Sequence, residues 1–204
     1  VIRVVCFDIG GVLVRIHHDL GAVAHSLGIA IRPGTERTPL ANPIVDAYQA
    51  ARISYDEFLA RLADHFAISR EDAERIHHGI PIAPYEGTLE RIQELEDAGI
   101  ATGCLSNTNA EHWARLIDPS QFPNVARLQT KVASHLVGLN KPEPEIYRAF
   151  EVMAGESEIL FFDDSEANVR GARAVGWNAE RIDPDQDPAR QIREHLNAYG
   201  VARE

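Results

Sequence analysis

In "VVCFDIGGVLV" (residues 4–14) an apolar run stops at Asp8, turns on Gly10 and Gly11, and resumes as a second apolar stretch. A carboxylate at the C-terminal end of a predicted buried strand is either a turn or cap residue or a placed reagent. Two further apolar runs stop on polar residues: "IATGCL" is followed by Ser106 and Asn107, and "EILFF" by Asp163 and Asp164. "GLNKPEPEIY" places Lys141 just ahead of a helix. Taken singly, most of these residues have an ordinary reading as caps, loop residues or solvated side chains. The pair Asp163 and Asp164 is the exception, because adjacent carboxylates repel and a bound cation beside them relieves that repulsion. Carboxylate ligands suit a hard divalent ion, most simply Mg²⁺, with positions left open for substrate oxygens.

These groups meet only if the strands that carry them end at one edge of one sheet. Residues 1–7 predict a short buried strand. From about Arg15 to Ile82 the signals are helical: Asp19 begins an amphipathic stretch, Pro43 suits a first helical turn, and Ser54 with Glu57 forms a capping box, a pattern that Ser69 with Asp72 repeats. After "PIAPYEG" the pattern alternates: a helix in "TLERIQELEDAG", a strand in "IATGCLS", a helix in "NAEHWARLI" and a strand-like piece in "ARLQTKVAS". A helix in "PEPEIYRAFEVMAG", a strand in "EILFFDD", a helix in "EANVRGARAVG", an edge strand in "WNAERID" and a closing helix complete it. Such alternation predicts the α/β class, a Rossmann-like parallel sheet sandwiched by helices, with an inserted small α-helical cap. The expected core is residues 1–14 plus 83–204, and the expected cap is 15–82. In open parallel sheets ligands bind beyond the carboxyl ends of the strands, which is where the polar residues fall.

Composition narrows the function. The 204 residues are 45% hydrophobic and 25% charged, ordinary values for a globular chain, and the net charge is −11. That charge argues against nucleic-acid or anionic-membrane partners, which would be repelled at long range, while leaving room for a local cationic pocket. No apolar run is long enough for a membrane span and no signal-peptide pattern opens the sequence, so a cytoplasmic location is expected. Cys6 and Cys104 both lie in strand-like runs without zinc-site spacing and are expected to be buried free thiols. Trp113 and Trp177 are expected to pack, as are Tyr48 and Tyr55, although those tyrosines could line a sugar site. Arg15, Arg32 and Arg37 could meet an anionic substrate tail or stay solvated. Nothing in the sequence sets an oligomeric state.

Taken in order, "FDIGGVL", "LSNT", "GLNKPEPEIY" and "FFDDSEANVRGA" resemble the haloacid dehalogenase-like hydrolase superfamily. The likeness covers essentially the whole core, and a helical insertion directly after the first motif resembles the cap of that superfamily's first subclass. It implies that Asp8 attacks the substrate and forms a covalent aspartyl intermediate that water then cleaves. Ser106 and the backbone N–H of Asn107 would hold phosphoryl oxygens, with Lys141 and Mg²⁺ neutralising their charge. Asp164 would be the direct metal ligand, Asp163 a support or second ligand, and the Gly10 carbonyl a further ligand beside Asp8. Asn168 would either tether the acidic loop or face solvent. The implied activity is hydrolysis of a small phosphorylated metabolite, with a sugar 1-phosphate as one candidate. The alternatives are a non-catalytic ligand-binding protein on the same fold and a metal-independent 2-haloacid dehalogenase; in the latter branch uncharged residues replace the acidic pair that this chain keeps.

Gly10 departs from the phosphatase pattern, which has a second aspartate there to protonate the leaving oxygen and activate water. Such general acid–base help is worth about 10²–10⁴ in rate. Three remedies are open: a good leaving group such as an anomeric, acyl or aryl phosphate; a proton from a water beside the ion or from His17 or His18; or lost catalysis, with the fold kept as a binding scaffold.

Overall fold

The computed structural model describes residues 1–201, so the last three residues of the expected core lie outside it. Five parallel strands form the central sheet: β1 (Val4–Phe7), β4 (Ala101–Ser106), β5 (Thr130–Ala133), β6 (Ile159–Asp163) and β7 (Asn178–Arg181), in the order β5-β4-β1-β6-β7. β1 is central and buried on both faces, as its unbroken apolar run requires. Its side chains alternate: Val5 and Phe7 pack in one cluster with Ile92 and Ile192, while Val4 and Cys6 pack in another with Tyr147 and Phe150. Helices α5 (Thr88–Asp97), α6 (Ala110–Leu116) and α11 (Pro188–Ala198) contribute to the first cluster. Helices α9 (Pro144–Ala154) and α10 (Glu166–Ala174) cover the second. The expected Rossmann-like sandwich is therefore what forms, with β7 at the edge. Among the described residues no helix is long and apolar enough to cross a membrane.

Four helices follow the first strand as read: α1 (Leu20–Ser26), α2 (Pro43–Gln49), α3 (Tyr55–Phe66) and α4 (Arg70–His78). Each start has its cap: Asp19, Asn42, Ser54 and Ser69 accept backbone N–H groups of the first turns, each bond being 3.0 or 3.1 Å. The four helices close around their own apolar cluster, which includes Leu20, Val45, Tyr48, Phe58, Leu62 and Ile76. One paired element falls where the sequence predicts none. Pro81–Pro84 is a strand, β3, paired antiparallel with β2 (Val14–Ile16), so a two-stranded hinge crosses both expected cap boundaries. Two prolines in four residues hide it, being tolerated because a two-stranded ribbon is all edge. The short helices α7 (Pro123–Arg127) and α8 (Ser134–Val137) were also not anticipated, since neither is long enough to show periodicity.

Cys6 and Cys104 are buried free thiols. Burial pushes both above the ordinary range, Cys104 to about 12, which makes them unreactive packing groups. Tyr48 is buried, Tyr55 is partly buried, and Trp177 sits in the second cluster.

The helical unit docks on the core through an aromatic box. The His77 ring of α4 stacks on His112 of α6 at 4.0 Å between centroids, with Phe58 at 5.0 Å. Neither His77 ring nitrogen has a hydrogen-bond partner among the described residues, and the side chain is buried. Burial depresses the basicity of both rings, His112 to about 4. A folded-state pKa below the unfolded value gives stability that is present near pH 7 and is lost as pH falls from about 6.5 towards 4. His77→Phe is therefore expected to stabilise the protein by about 1–3 kcal/mol at neutral pH, through removal of unsatisfied polar atoms. Its advantage over wild type should widen as pH drops to 5 in chemical denaturation; a constant or shrinking advantage would contradict the account.

Candidate active site

The sheet register assembles the site. Phe7 of β1 pairs with Phe162 of β6, so Asp8 emerges beside Asp163 at the same strand end. The Asp8 N–H donates to the Phe162 carbonyl at 2.7 Å and continues the ladder by one bond. On the other side Phe7 pairs with Cys104, which brings Ser106 to the same edge two residues later. All three polar strand ends predicted to converge do so.

Lys141 reaches this edge from the loop before α9. Its Nζ lies 3.0 Å from Asp8 Oδ1 and 2.6 Å from Asp163 Oδ2, and its side chain is 1% exposed. Burial opposes the lysine charge, but the two carboxylates more than offset it and hold the ammonium protonated well above the ordinary lysine range. For Asp8 the balance goes the other way. Burial, together with Asp163 and Asp164, raises its carboxyl to about 7 against the opposing pull of Lys141. Burial and the neighbouring Asp163 raise Asp164 as well. Oxygens of Asp8, Asp163 and Asp164 all lie within 4.8 Å of one another. Three carboxylates with one lysine form a site short of positive charge.

The acidic neighbours are held differently. Asp163 is fully buried, and its oxygens accept from Lys141, from the Ser165 N–H at 2.8 Å, and from Asn168 Nδ2 at 3.1 and 3.2 Å. Of the two readings of Asn168, the structure shows the tether. Asp164 keeps a side chain 20% exposed, and His18 Nδ1 lies 3.8 Å from its Oδ2. No hydrogen bond from a described residue engages the Asp164 carboxylate. Gly11 explains how Asp164 fits: its φ is +75°, and a Cβ there would lie 2.6 Å from Asp164 Oδ2. That double requirement was not drawn from the sequence, although the paired glycines after Asp8 were its visible sign.

The remaining groups complete the rim. Ser106 is buried, and its hydroxyl makes no hydrogen bond to another described residue, which leaves it available to a ligand. Asn107 turns its side chain to the Lys141 backbone. Gly10 sits in the tight loop after Asp8, and the space a Cβ would take is filled by Ile16 Cδ1 at 2.7 Å. An apolar methyl thus occupies the position beside Gly10 where a side chain would project. His17 contributes a backbone N–H to the Ile80 carbonyl at 3.0 Å, whereas His18 is the histidine brought to the acidic cluster. Arg15 lies 5.4 Å from the centroid of the Tyr85 ring and Arg32 donates to the Asp64 carbonyl at 2.8 Å, so neither engages the carboxylates.

The family profile of haloacid dehalogenase-like hydrolases matches residues 2–176. The chain belongs to that family. Among curated proteins it is 28% identical over 154 residues to Phosphatase MT3486 of Mycobacterium tuberculosis, a match covering 71% of this chain and 69% of that one. A solved structure of a predicted HAD-like family hydrolase from Porphyromonas gingivalis is 22% identical, covers 96% of this chain and 98% of its own, and has a TM-score of 0.75. A HAD family enzyme of Bacteroides thetaiotaomicron, solved in complex with magnesium and inorganic phosphate, is 21% identical with a TM-score of 0.74, covering 94% of this chain and all 100% of that one. The L-2-haloacid dehalogenase of Xanthobacter autotrophicus, at 18% identity and a TM-score of 0.63, covers 100% of this chain and 85% of its own. At these identities the solved structures establish the fold of this HAD-like hydrolase.

Proposed function

We propose that this hydrolase is a Mg²⁺-dependent phosphatase of a small phosphorylated metabolite, and that residues 15–82 form the cap that selects it. The observation that carries the reading is the meeting of Asp8, Asp163 and Asp164 within 4.8 Å, with the Lys141 ammonium against two of them. The donor set fits a hard dication: the oxygens are carboxylate, no hydrogen bond from another described residue engages the Asp164 side chain, and burial first, then the neighbouring carboxylates, raise Asp8 and Asp164, a cost that a bound cation relieves. Asp8, Asp164 and the Gly10 carbonyl would hold the ion, with Asp163 in support. When bound, Mg²⁺ supplies charge neutralisation for the phosphoryl oxygens. The acidic pair and the curated phosphatase relative both favour this over carbon–halogen hydrolysis.

The chain's own residues then divide the work. An Asp8 oxygen forms a bond to phosphorus as the ester P–O bond breaks, and the alcohol or phenol leaves with a proton taken from solvent. Lys141 lies against Asp8 and lowers the repulsion between two anions at the moment of attack. The Ser106 hydroxyl and the Asn107 N–H hold phosphoryl oxygens. Water then attacks the aspartyl phosphate, inorganic phosphate departs, and the Asp8 carboxylate is restored. Because Gly10 and Ile16 provide no proton beside the leaving oxygen, good leaving groups are favoured: aryl, acyl and anomeric phosphates, including sugar 1-phosphates.

A panel of such phosphates assayed for phosphate release with Mg²⁺ and again with chelator tests the proposal. Turnover that chelator abolishes supports it. Phosphate-dependent thermal stabilisation without turnover would leave a binding scaffold, and chelator-insensitive halide release from 2-haloacids would make it a dehalogenase. A sharper test of the proton deficit is Gly10→Asp combined with Ile16→Ala, which clears the methyl that the new Cβ would meet. Alkyl phosphate turnover should rise about tenfold or more, with aryl phosphate turnover changed only a few-fold. Equal gains for both classes would show that proton delivery is not what limits poor leaving groups.

A further inference from the structure

We infer that Asn107 is a positioning residue that fixes the backbone of Lys141, and through it the ammonium group between Asp8 and Asp163; the inference rests on the phosphoryl-transfer reading above. Asn107 Oδ1 accepts the Lys141 N–H at 2.8 Å, and Asn107 Nδ2 donates to the Lys141 carbonyl at 3.0 Å. One amide side chain thus satisfies both main-chain groups of a single residue 34 positions away. Among the described residues neither Lys141 group has another partner. The pairing also fixes the orientation of the Asn107 amide, since a flip would set oxygen against oxygen and nitrogen against N–H.

The reason a lysine needs this is its stem. Four methylenes leave the ammonium free to swing, and it acts as a point charge rather than a preorganised fork. The loop carrying Lys141 runs from Gly138 to Glu143, outside the regular elements, so no sheet or helix ladder holds that residue. Asn107 supplies the missing two-point attachment from the end of β4, which the central sheet holds rigid. Both polar ends of its side chain are engaged in doing so. The backbone N–H and the second Nδ2 hydrogen are left for a phosphoryl oxygen, so action through Lys141 and direct contact by the amide are separated by experiment.

A double-mutant cycle separates this from direct substrate binding by the amide. Asn107→Ala in the wild-type background should lower kcat on an aryl phosphate with Mg²⁺ by about ten- to a hundredfold, the range a misplaced catalytic group produces, with KM changed less. In a Lys141→Met background the same substitution should change kcat less than about twofold, because the residue it acts through is gone. Asn107→Asp keeps the acceptor and loses the donor, and should fall between wild type and Asn107→Ala. Multiplicative effects in the two backgrounds would overturn the inference. Amide hydrogen exchange of Lys141 by NMR, in Mg²⁺-free protein, gives a reading that needs neither turnover nor a folded Lys141→Met variant. Exchange at Lys141 should become at least about tenfold faster in Asn107→Ala while the β1 amides stay protected. Unchanged Lys141 exchange refutes the attachment, and an inactive wild type with accelerated exchange would count against the phosphatase reading while leaving the attachment standing.

Discussion

Asp8→Asn is expected to lower phosphate release by about 10⁴-fold or more, since it removes the atom that would carry the phosphoryl group and not merely a group that helps it. The replacement is isosteric and should leave the fold intact. It should also stabilise the Mg²⁺-free protein, because burial and the two neighbouring carboxylates make the Asp8 charge costly there. The sign follows from linkage. A carboxyl raised from 3.8 to about 7 binds its proton more tightly in the folded than in the unfolded state. Its ionisation therefore removes stability progressively as pH rises across that interval and adds no further loss above it. His77 and His112 have the opposite slope in much of the same window, so the wild-type profile alone does not isolate Asp8. The difference between Asp8→Asn and wild type does: it should grow from pH 4 to pH 7 in chelator and shrink when Mg²⁺ is added. An Asp8→Asn protein less stable than wild type at pH 7 in chelator would contradict the charge balance described for the site.

Lys141→Met should be the most damaging change to the fold and, after Asp8→Asn, to turnover. The substitution leaves Asp8 and Asp163 facing each other without the cation that separates them. Removing one partner of a buried ion pair typically costs about 3–5 kcal/mol, because the remaining charge is stranded. Two carboxylates are stranded here, and Asp163 keeps hydrogen bonds only from Ser165 and Asn168. The loss measured by urea denaturation should be smaller at pH 5 than at pH 8, since protonation relieves it, and smaller with Mg²⁺ than with chelator. Activity should fall with the charge that Lys141 lends to the attack, even under conditions where the protein stays folded. A variant as stable as wild type would mean that Lys141 is not what balances the acids.

Much of this arrangement could be read from residue types and order, and the reason is the parallel sheet. A strand buried on both faces leaves an unbroken apolar run, so the polar residue that ends it stands out, as Asp8, Ser106 and Asp163 do. Parallel register then places those ends together without help from the loops. The β2–β3 pair was illegible for the opposite reason: its strands are short, one holds two prolines, and their partners are far apart in sequence. Side-chain attachments were less visible still. Asn107 carries an ordinary loop identity, and only the folded chain shows it gripping Lys141; for Asn168 the fold decides between the two readings in favour of the tether to Asp163. Ile16 beside Gly10 is a contact between residues on either side of a tight loop, and no periodicity announces it. Of His17 and His18, adjacent and chemically equal in the sequence, it is His18 whose ring lies 3.8 Å from Asp164.

The central claim is that Asp8 carries the phosphoryl group. Protein quenched in acid during steady-state hydrolysis of an aryl phosphate with Mg²⁺, digested and examined by mass spectrometry, addresses it directly. The account predicts a phosphoryl mass on the peptide containing Asp8, absent in chelator and in Asp8→Asn. Sustained turnover with no covalent phosphoryl group, or with the label on Asp163 or Asp164 instead, would contradict it.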